Sequence, residues 1–480
     1  MNVSDRLDNP VFRLVGSVAD SIGRPCYVVG GYVRDLLIGR ASKDIDFVTV
    51  GSGIELAEAV APAISRRARV NVFRTYGTAQ IHHGALELEF VGARRESYRR
   101  ESRNPIVEDG TLDDDLARRD FTINALAVCV NAEGYGEVID HYDGLGDLDR
   151  RIIRTPLDPD ITFSDDPLRM LRAIRFATQL QYDIYPDTLD AITRNAARIE
   201  IITAERVKDE LCKIMRSPVP SIGWELLRRT GLLRLILPEL DDLKGVDVRG
   251  GCAHKDNFDH TLKVLDAVAA RTDKEWLRWA ALFHDIAKPV TKRYEPGAGW
   301  TFHNHNFIGA KMLPRIFTRL KLPLGAELHY VQKLVELHMR PIALVEDEVT
   351  DSAVRRLMNY AEEDLDDLML LARADITSKN EAKKKRFLEN FDLVERKYED
   401  IRLKDAERNR KNPVDGTEVM HIFGLPQSPT VGYFTKSLKQ AIKDCEIDDT
   451  RPAALRYLLK LAADAGVPVV NPPSPEDLTD

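Results

Sequence analysis

Up to about residue 155, apolar runs of strand length alternate with segments of helical spacing. The runs cover residues 26–29, 45–50, 70–73, 78–82, 86–92, 126–130 and 136–140, while residues 53–64 carry the period of a helix. This mixture predicts an α/β or α+β domain over 1–155. After Thr155-Pro156 the strand pattern stops. From Asp165 onward apolar positions recur at helical spacing: Leu168, Leu171, Ile174 and Ala177, then Leu189, Ile192, Ala196 and Ile199, then Val207, Leu211 and Ile214. This predicts a helical segment over 156–240. The Gly- and Asp-rich stretch 241–257 reads as a linker into a second helical domain, 241–385 in all, in which Gly297-Ala298-Gly299 marks a turn or short hairpin. A polar helical tail is expected over 386–480.

Composition narrows the class. A chain of 480 residues is long enough for roughly three or four domains, and 44% hydrophobic with 30% charged residues describes a protein able to bury sizeable cores. There is no run of about 18 apolar residues and no charged-then-apolar leader, so a cytoplasmic protein is expected, with no membrane partner. Five scattered cysteines without a CxxC suit a reducing compartment and argue against a cysteine zinc site. The net charge of −8 does not favour nucleic acid, but the charge is unevenly placed. Arg94, Arg95, Arg99, Arg100 and Arg103 crowd residues 94–103, and residues 379–411 hold twelve Lys/Arg against eight Asp/Glu. Both stretches read equally well as solvated helix surface or as RNA-facing patches.

The chemistry begins at Val28-Val29-Gly30-Gly31-Tyr32-Val33-Arg34-Asp35, followed by Lys43-Asp44-Ile45-Asp46-Phe47. A glycine pair leaves a strand and opens a helix, letting backbone approach a triphosphate without a Cβ in the way. Asp44 and Asp46, at i and i+2 on the next strand, share a face and repel unless a cation lies between them. A pair of Mg²⁺ ions would serve. Phosphate cradle plus metal-type carboxylates points to nucleotidyl transfer; a solvated strand edge is the bland alternative. Glu87 and Glu89 alternate onto one face of a neighbouring strand, and either could be a third acid, with Glu89 preferred. In Asp115-Leu116-Ala117-Arg118-Arg119-Asp120-Phe121-Thr122-Ile123-Asn124, adjacent Arg118 and Arg119 call for anions such as triphosphate oxygens, and Asn124 could meet a ribose hydroxyl. Asp166 and Arg169 are read as neighbours on one helical face, where an acceptor beside a guanidinium imitates a nucleobase edge; a plain surface ion pair is the alternative.

Together these residues closely resemble the class II tRNA nucleotidyltransferase and bacterial poly(A) polymerase family of the DNA polymerase beta-like superfamily, in the family's order over about residues 25–240. The resemblance implies an α+β nucleotidyltransferase head with a small mixed sheet, followed by an all-helical neck, a further helical domain and a tail that binds tRNA. It implies metal binding at Asp44 and Asp46, and nucleotide contacts from Gly30, Gly31, Arg34, Arg118, Arg119, Asp120 and Asn124. It further implies that Asp166 and Arg169 select the incoming base, with Arg172, Arg175 and Arg206 nearby. Asp165 stands where the family more often has Glu.

A second set is independent of the first: His260, then His284-Asp285-Ile286-Ala287-Lys288, His305, His338 and Asp375. A His-Asp doublet on an apolar helix is costly to bury unless liganded, and nitrogen-rich ligands suit Mn, Fe, Co or Ni more than Mg. The ordered series is similar to the HD phosphohydrolase superfamily. That resemblance implies His260, His284, Asp285 and Asp375 as first metal ligands, and His305 and His338 as a second metal site or a phosphate contact, with His254 and His303 close by. The expected activity is template-independent addition of CCA to tRNA 3′ ends from CTP and ATP with Mg²⁺. A poly(A) polymerase, a CC-only or A-only enzyme, and an HD phosphohydrolase on an inert scaffold are the alternatives. The sequence sets no oligomeric state.

Overall fold

The computed structural model describes the chain except residues 98–105, 250, 251, 254, 255, 347–349, 377–380, 410, 411, 445, 449 and 480. Contacts divide it into two units, Met1–Val349 with Arg356–Phe391, and Thr350–Arg355 with Asp392–Asp480.

The first unit opens with α1 (Pro10–Ser21), capped by Asn9, whose side chain accepts from Val11 N. There follow β1 (Cys26–Val29), α2 (Gly31–Leu37), β2 (Asp44–Thr49), α3 (Gly53–Ile64), β3 (Val70–Phe73), β4 (Thr78–His83), β5 (Leu86–Gly92), β6 (Arg94–Ser97), β7 (Ile106–Asp109), α4 (Leu112–Ala117), β8 (Leu126–Cys129) and β9 (Val138–Asp140). Seven strands form a mixed sheet in the order β3-β4-β5-β2-β1-β8-β9. The β2–β5 pair is parallel, and its neighbours on either side are antiparallel. One face is apolar: Val28, Ile45, Phe47, Ala79, Ile81, Leu88 and Phe90 are buried, and Phe12 and the α3 residues Leu56, Ala57 and Val60 are buried with them. The stacked rings of Phe47 and Phe90, 5.1 Å apart, hold its centre. Alternation sends Asp44 and Asp46 to the opposite face.

The seven expected strands all form, within two residues at any end. Of the two readings of the basic run 94–103, the helix surface is overturned. Arg94 and Arg95 lie on β6, paired antiparallel with β7, while Arg99, Arg100 and Arg103 fall outside the described residues.

The head ends with α5 (Gly144–Arg150), and beyond it come α6 (Pro159–Asp165), α7 (Leu168–Leu180), α8 (Pro186–Asn195) and α9 (Ala204–Met215). Strand pairing does not stop entirely. Ile152–Ile153 pairs in parallel with Asp183–Ile184, the expected linker contains a Val248–Arg249/Cys252–Ala253 hairpin, and Gly297-Ala298-Gly299 turns the expected hairpin Arg293–Glu295/Gly299–Thr301. The helices Asn257–Ala269, Glu275–Phe283, His305–Leu320, Ala326–Leu337 and Leu365–Asp375 build the second helical region. It is tied to α9 by Arg278, 3% exposed, which donates to the carbonyls of Met215, Ser217, Ala269 and Thr272.

The second unit has a core of its own, so its helices are more than a polar tail. Val419, Phe423, Phe434, Leu438, Leu455 and Leu458 are buried together. Part of the basic run 379–411 is neutralised locally: Lys397 pairs with Asp351 at 3.1 Å and Arg402 with Glu399 at 3.6 Å. Among the described residues no helix is long and apolar enough to cross a membrane.

Candidate functional sites

The register of the sheet gathers the acids. Asp46 lies directly opposite Glu89 and Asp44 opposite Glu87 on the parallel β2–β5 ladder, so four carboxylates share one face. Both glutamates are therefore candidates by face, and their surroundings separate them. Glu87 is occupied by Gln80, at 3.4 Å, and His82, at 3.8 Å. Partial burial and the negative charge of Asp46 raise the pKa of Glu89, with Arg94 pulling it down. Asp46 is also raised, by burial and by Asp44 and Asp115, with Arg119 opposing. Excess negative charge that the protein does not neutralise is what a divalent-cation site requires.

Gly30 matters here for clearance. Its φ is +75°, and a Cβ there would stand 2.8 Å from Arg119 Nη1 and 3.6 Å from Asp46 Oδ2. Its N–H donates to Leu126 O, so Gly30 contributes an uncrowded surface and not a free donor.

The adjacent arginines find an internal anion first. Asp115, with no exposed surface, accepts from Arg118 at 2.5 and 3.1 Å and from Arg119 at 3.0 and 3.3 Å. Burial would raise its pKa, but Arg119 and Arg118 bring it below the usual carboxylate range. One buried carboxylate thus holds two guanidinium groups, and Arg119 acts on Asp46 as well. Sequence reasoning assigns Asp115 no function; its spacing of three and four residues to the arginines, at the end of α4, is the signal that could have found it.

A second chain of bonds runs behind the acids. Arg34 donates to Asp35 at 2.9 Å and to Asn124 Oδ1 at 2.8 Å, and Asn124 Nδ2 donates to Asp120 at 3.0 Å. Asp120 also accepts from Arg172 at 2.7 Å. Asn124 thus uses one donor and one lone pair inside the protein, which leaves less for the ribose contact expected of it. Burial pushes Asp120 up, but Arg172, Asn124 and Arg169 outweigh it and hold its pKa near 2. Arg34, Arg172 and Arg175 surround the Phe176 ring at 4.9, 5.4 and 4.0 Å. Arg175 also forms an ion pair with buried Glu210 at 2.6 Å.

The placement of Asp166 corrects the expectation of a shared helical face. Asp166 is extended (φ −135°) and precedes α7, because it stands before Pro167, where the helical conformation is disfavoured. Its carboxylate accepts from Leu168 N at 3.1 Å and pairs with Arg206 at 3.2 Å. Arg169, on the first turn of α7, is close enough to Asp120 to lower it.

The histidine cluster assembles at helix ends. His260 Nε2 lies 2.7 Å from Asp375 and 3.6 Å from Asp285 Oδ2, and His284 Nε2 lies 3.2 Å from that same oxygen. The other oxygen of Asp285 faces His305 at 3.3 Å, and His305 Nε2 stands 3.3 Å from His338 Nε2. Two ligand groups result, His260/His284/Asp285 and Asp285/His305/His338, sharing Asp285. His284, His305 and His338 each donate Nδ1–H to the carbonyl three residues back: Ala281, Phe302 and Val335. Those bonds aim the Nε2 lone pairs inward. His284 Nε2 is buried facing the carboxylates of Asp285 and, at 3.6 Å, Asp375 without a well-aligned hydrogen bond to either, as suits a metal-ligating nitrogen. Burial disfavours a charged His284, but Asp285 and Asp375 raise its pKa to about 10; burial and His284 lower His338 to about 4. Lys288, one helical turn after Asp285 and given no function by sequence reasoning, lies 2.5 Å from it. His303 stays exposed beside Glu295, away from the cluster, and His254 lies outside the described residues.

Comparisons with known proteins follow the same division. Residues 26–154 match the poly A polymerase head domain, 181–244 the probable RNA and SrmB-binding site of polymerase A, and 257–380 the HD domain. The A-adding tRNA nucleotidyltransferase of Deinococcus radiodurans is 34% identical over 430 residues, 86% of this chain and 90% of that protein. The CC-adding tRNA nucleotidyltransferase of Thermus thermophilus is 31% identical over 447 residues, 91% and 93% of the two chains. A crystal structure of tRNA nucleotidyltransferase complexed with a primer tRNA and an incoming ATP analog aligns at TM-score 0.57 and 27% identity, covering 81% of this chain and 99% of that one. The Thermotoga maritima CCA-adding enzyme complexed with tRNA shares the fold, at TM-score 0.60 and 20% identity over 96% of this chain and 99% of that one. With the head acids, the arginine block and the HD cluster in one chain, this protein belongs to the tRNA nucleotidyltransferase family.

Proposed function

We propose that the chain completes the CCA end of tRNA from CTP and ATP, in the cytoplasm where tRNA matures. One observation carries this reading: Asp44, Asp46 and Glu89 converge on one sheet face beside Gly30, with Arg119 next to them. Asp44 and Asp46 would hold Mg²⁺, which neutralises charge on the α-phosphate and the leaving pyrophosphate when bound. Arg118 and Arg119, fixed by Asp115, offer guanidinium charge to the triphosphate oxygens. Glu89, its pKa already raised, accepts the proton of the RNA 3′-hydroxyl. Asp120 anchors Arg172, and Asp166 with Arg206 and Arg169 presents acceptor and donor groups to the incoming base. The helical regions that follow hold the tRNA by shape and backbone contacts.

A-only addition is the second reading, favoured by the Deinococcus radiodurans relative. Substrates ending before CCA, after C and after CC, offered CTP and ATP separately, distinguish the two. Ordered addition stopping at CCA supports the first, incorporation of A alone onto a CC end supports the second, long A tracts indicate poly(A) synthesis, and no incorporation with Mg²⁺ sinks all three. Arg169→Ala and Arg206→Ala should relax the choice between CTP and ATP; unchanged selectivity removes the base-reading role.

The HD cluster fits a divalent transition metal held by His260, His284 and Asp285, with Asp375 beside His260 and His284, and with His305 and His338 completing a second position. Its donor set suits hydrolysis of a phosphoester such as a 2′,3′-cyclic nucleotide. Phosphate release that survives His284→Ala would exclude this centre.

A further inference from the structure

The acid-bearing face of the sheet does not end at Glu89. Across β4 and β3 the pairing continues Asp46–Glu89–Gln80–Asn71, and the next row reads Val48–Val91–Thr78–Phe73. Asn71 and Phe73 therefore share the face of Asp46, three strand spacings away, roughly 14 Å. Glu87, Glu89, His82, Asn71 and Phe73 are all exposed on this stretch.

Its far edge is unusual for a surface strand. Phe73 is 47% and Tyr76 70% exposed, the latter in a short turn closed by Gly77 in the left-handed region. Arg66, Arg67, Arg69 and Arg74 flank them, all exposed. The turn is tied back toward the acids by Arg94, which donates to Tyr76 O and acts electrostatically on Glu89. Exposed aromatics interleaved with arginine are the chemistry that holds single-stranded nucleic acid, bases on rings and phosphates on guanidinium groups.

The reaction geometry says which strand arrives there. The attacking and leaving oxygens lie roughly in line on opposite sides of the α-phosphate. Gly30 and Arg119 sit on the β1 side of the acids, so the pyrophosphate leaves on that side. The attacking 3′-oxygen must then come from the other side, over β5, β4 and β3. We propose that this face, from Gln80 to the β3 edge, is a track for the single-stranded 3′ end of the RNA, with Phe73 and Tyr76 stacking upstream bases and Arg69 and Arg74 binding their phosphates. The proposal rests on the nucleotidyl-transfer reading of the head.

The test is steady-state incorporation by the full chain on a tRNA lacking CCA, with tRNA and nucleotide varied in turn. Wild-type incorporation establishes the underlying reading; its absence would overturn that reading and the track with it. Given activity, Phe73→Ala/Tyr76→Ala should raise the KM for tRNA about thirtyfold or more and leave the KM for CTP and ATP unchanged. Phe73→Trp/Tyr76→Phe should restore it. Arg69→Ala/Arg74→Ala should weaken tRNA binding and reduce the slope of log affinity against log salt by about 0.7 for each phosphate no longer neutralised. All four side chains are exposed, so thermal melting of the variants should match wild type. Unchanged tRNA KM and salt slope in an active enzyme overturn the track, leaving the edge as a contact for a protein.

Discussion

Replacing Asp115 with Asn removes one charge from a site with no exposed surface while keeping its shape. Four hydrogen bonds from Arg118 and Arg119 converge on that carboxylate. Removing one partner of a fully buried ion pair costs about 3–5 kcal/mol, because the other charge is left unpaired. Here the two arginine side chains keep 19% and 17% of their surface, so water recovers part of the loss. We expect Asp115→Asn to lose about 2–3 kcal/mol in denaturant unfolding. Arg119, no longer anchored beside Gly30, should bind triphosphate poorly, raising the KM for CTP and ATP about tenfold, equivalent to about 1.4 kcal/mol, with tRNA affinity unchanged. The pH dependence has a definite sign. A carboxylate whose pKa is lowered on folding stabilises the protein above its unfolded pKa and loses that contribution as pH falls. The acid limb of the stability curve should therefore flatten in the variant. Unaltered nucleotide KM together with unaltered stability would refute the anchoring role.

Asp120→Asn should cost roughly 2 kcal/mol at neutral pH, since the carboxylate falls from 3.8 to about 2 on folding and each unit is worth about 1.4 kcal/mol. That difference should disappear between about pH 4 and pH 2, and a constant difference across this window would contradict the assignment. Gly30→Ala should fold but lose at least about tenfold in kcat/KM, since φ +75°, ψ −136° is a conformation kept essentially for glycine, costing other residues roughly 1–3 kcal/mol, and its Cβ meets Arg119; wild-type kinetics would contradict this. Arg278→Met leaves carbonyls at the ends of α9 and of Asn257–Ala269 without their donor, and should lower unfolding stability by about 3 kcal/mol. A loss under about 1 kcal/mol would show that water replaces the guanidinium.

Residues 26–29, 70–73 and 86–92 are readable as strands to the residue, because strong alternation and short apolar runs decide such segments. The β6–β7 hairpin is not, since its first strand is arginine-rich and its partner lies beyond an intervening stretch. Asp44 and Asp46 are legible as a pair from their spacing alone. That Asp46 faces Glu89 is not, because register between strands about 40 residues apart is set by the whole sheet. Arg118 and Arg119 signal a need for anions, and the i, i+3 and i, i+4 spacing to Asp115 offers one, but the burial of that carboxylate comes only from the tertiary packing. Asp166 shows the converse: Pro167 carries the information that a helix does not run through it, and this local restriction overrides the helical spacing of Asp166 and Arg169. The histidines are identifiable by type and order, while the sharing of Asp285 between two groups comes only from the packing of the helices that carry them.

We propose that the head acids perform nucleotidyl transfer at a tRNA 3′ end. Single-turnover incorporation of labelled CTP and ATP into a tRNA lacking CCA, compared between wild type and Asp46→Asn alongside tRNA binding, tests it most directly. The variant should lose incorporation and retain tRNA affinity. Undiminished incorporation by Asp46→Asn would contradict it.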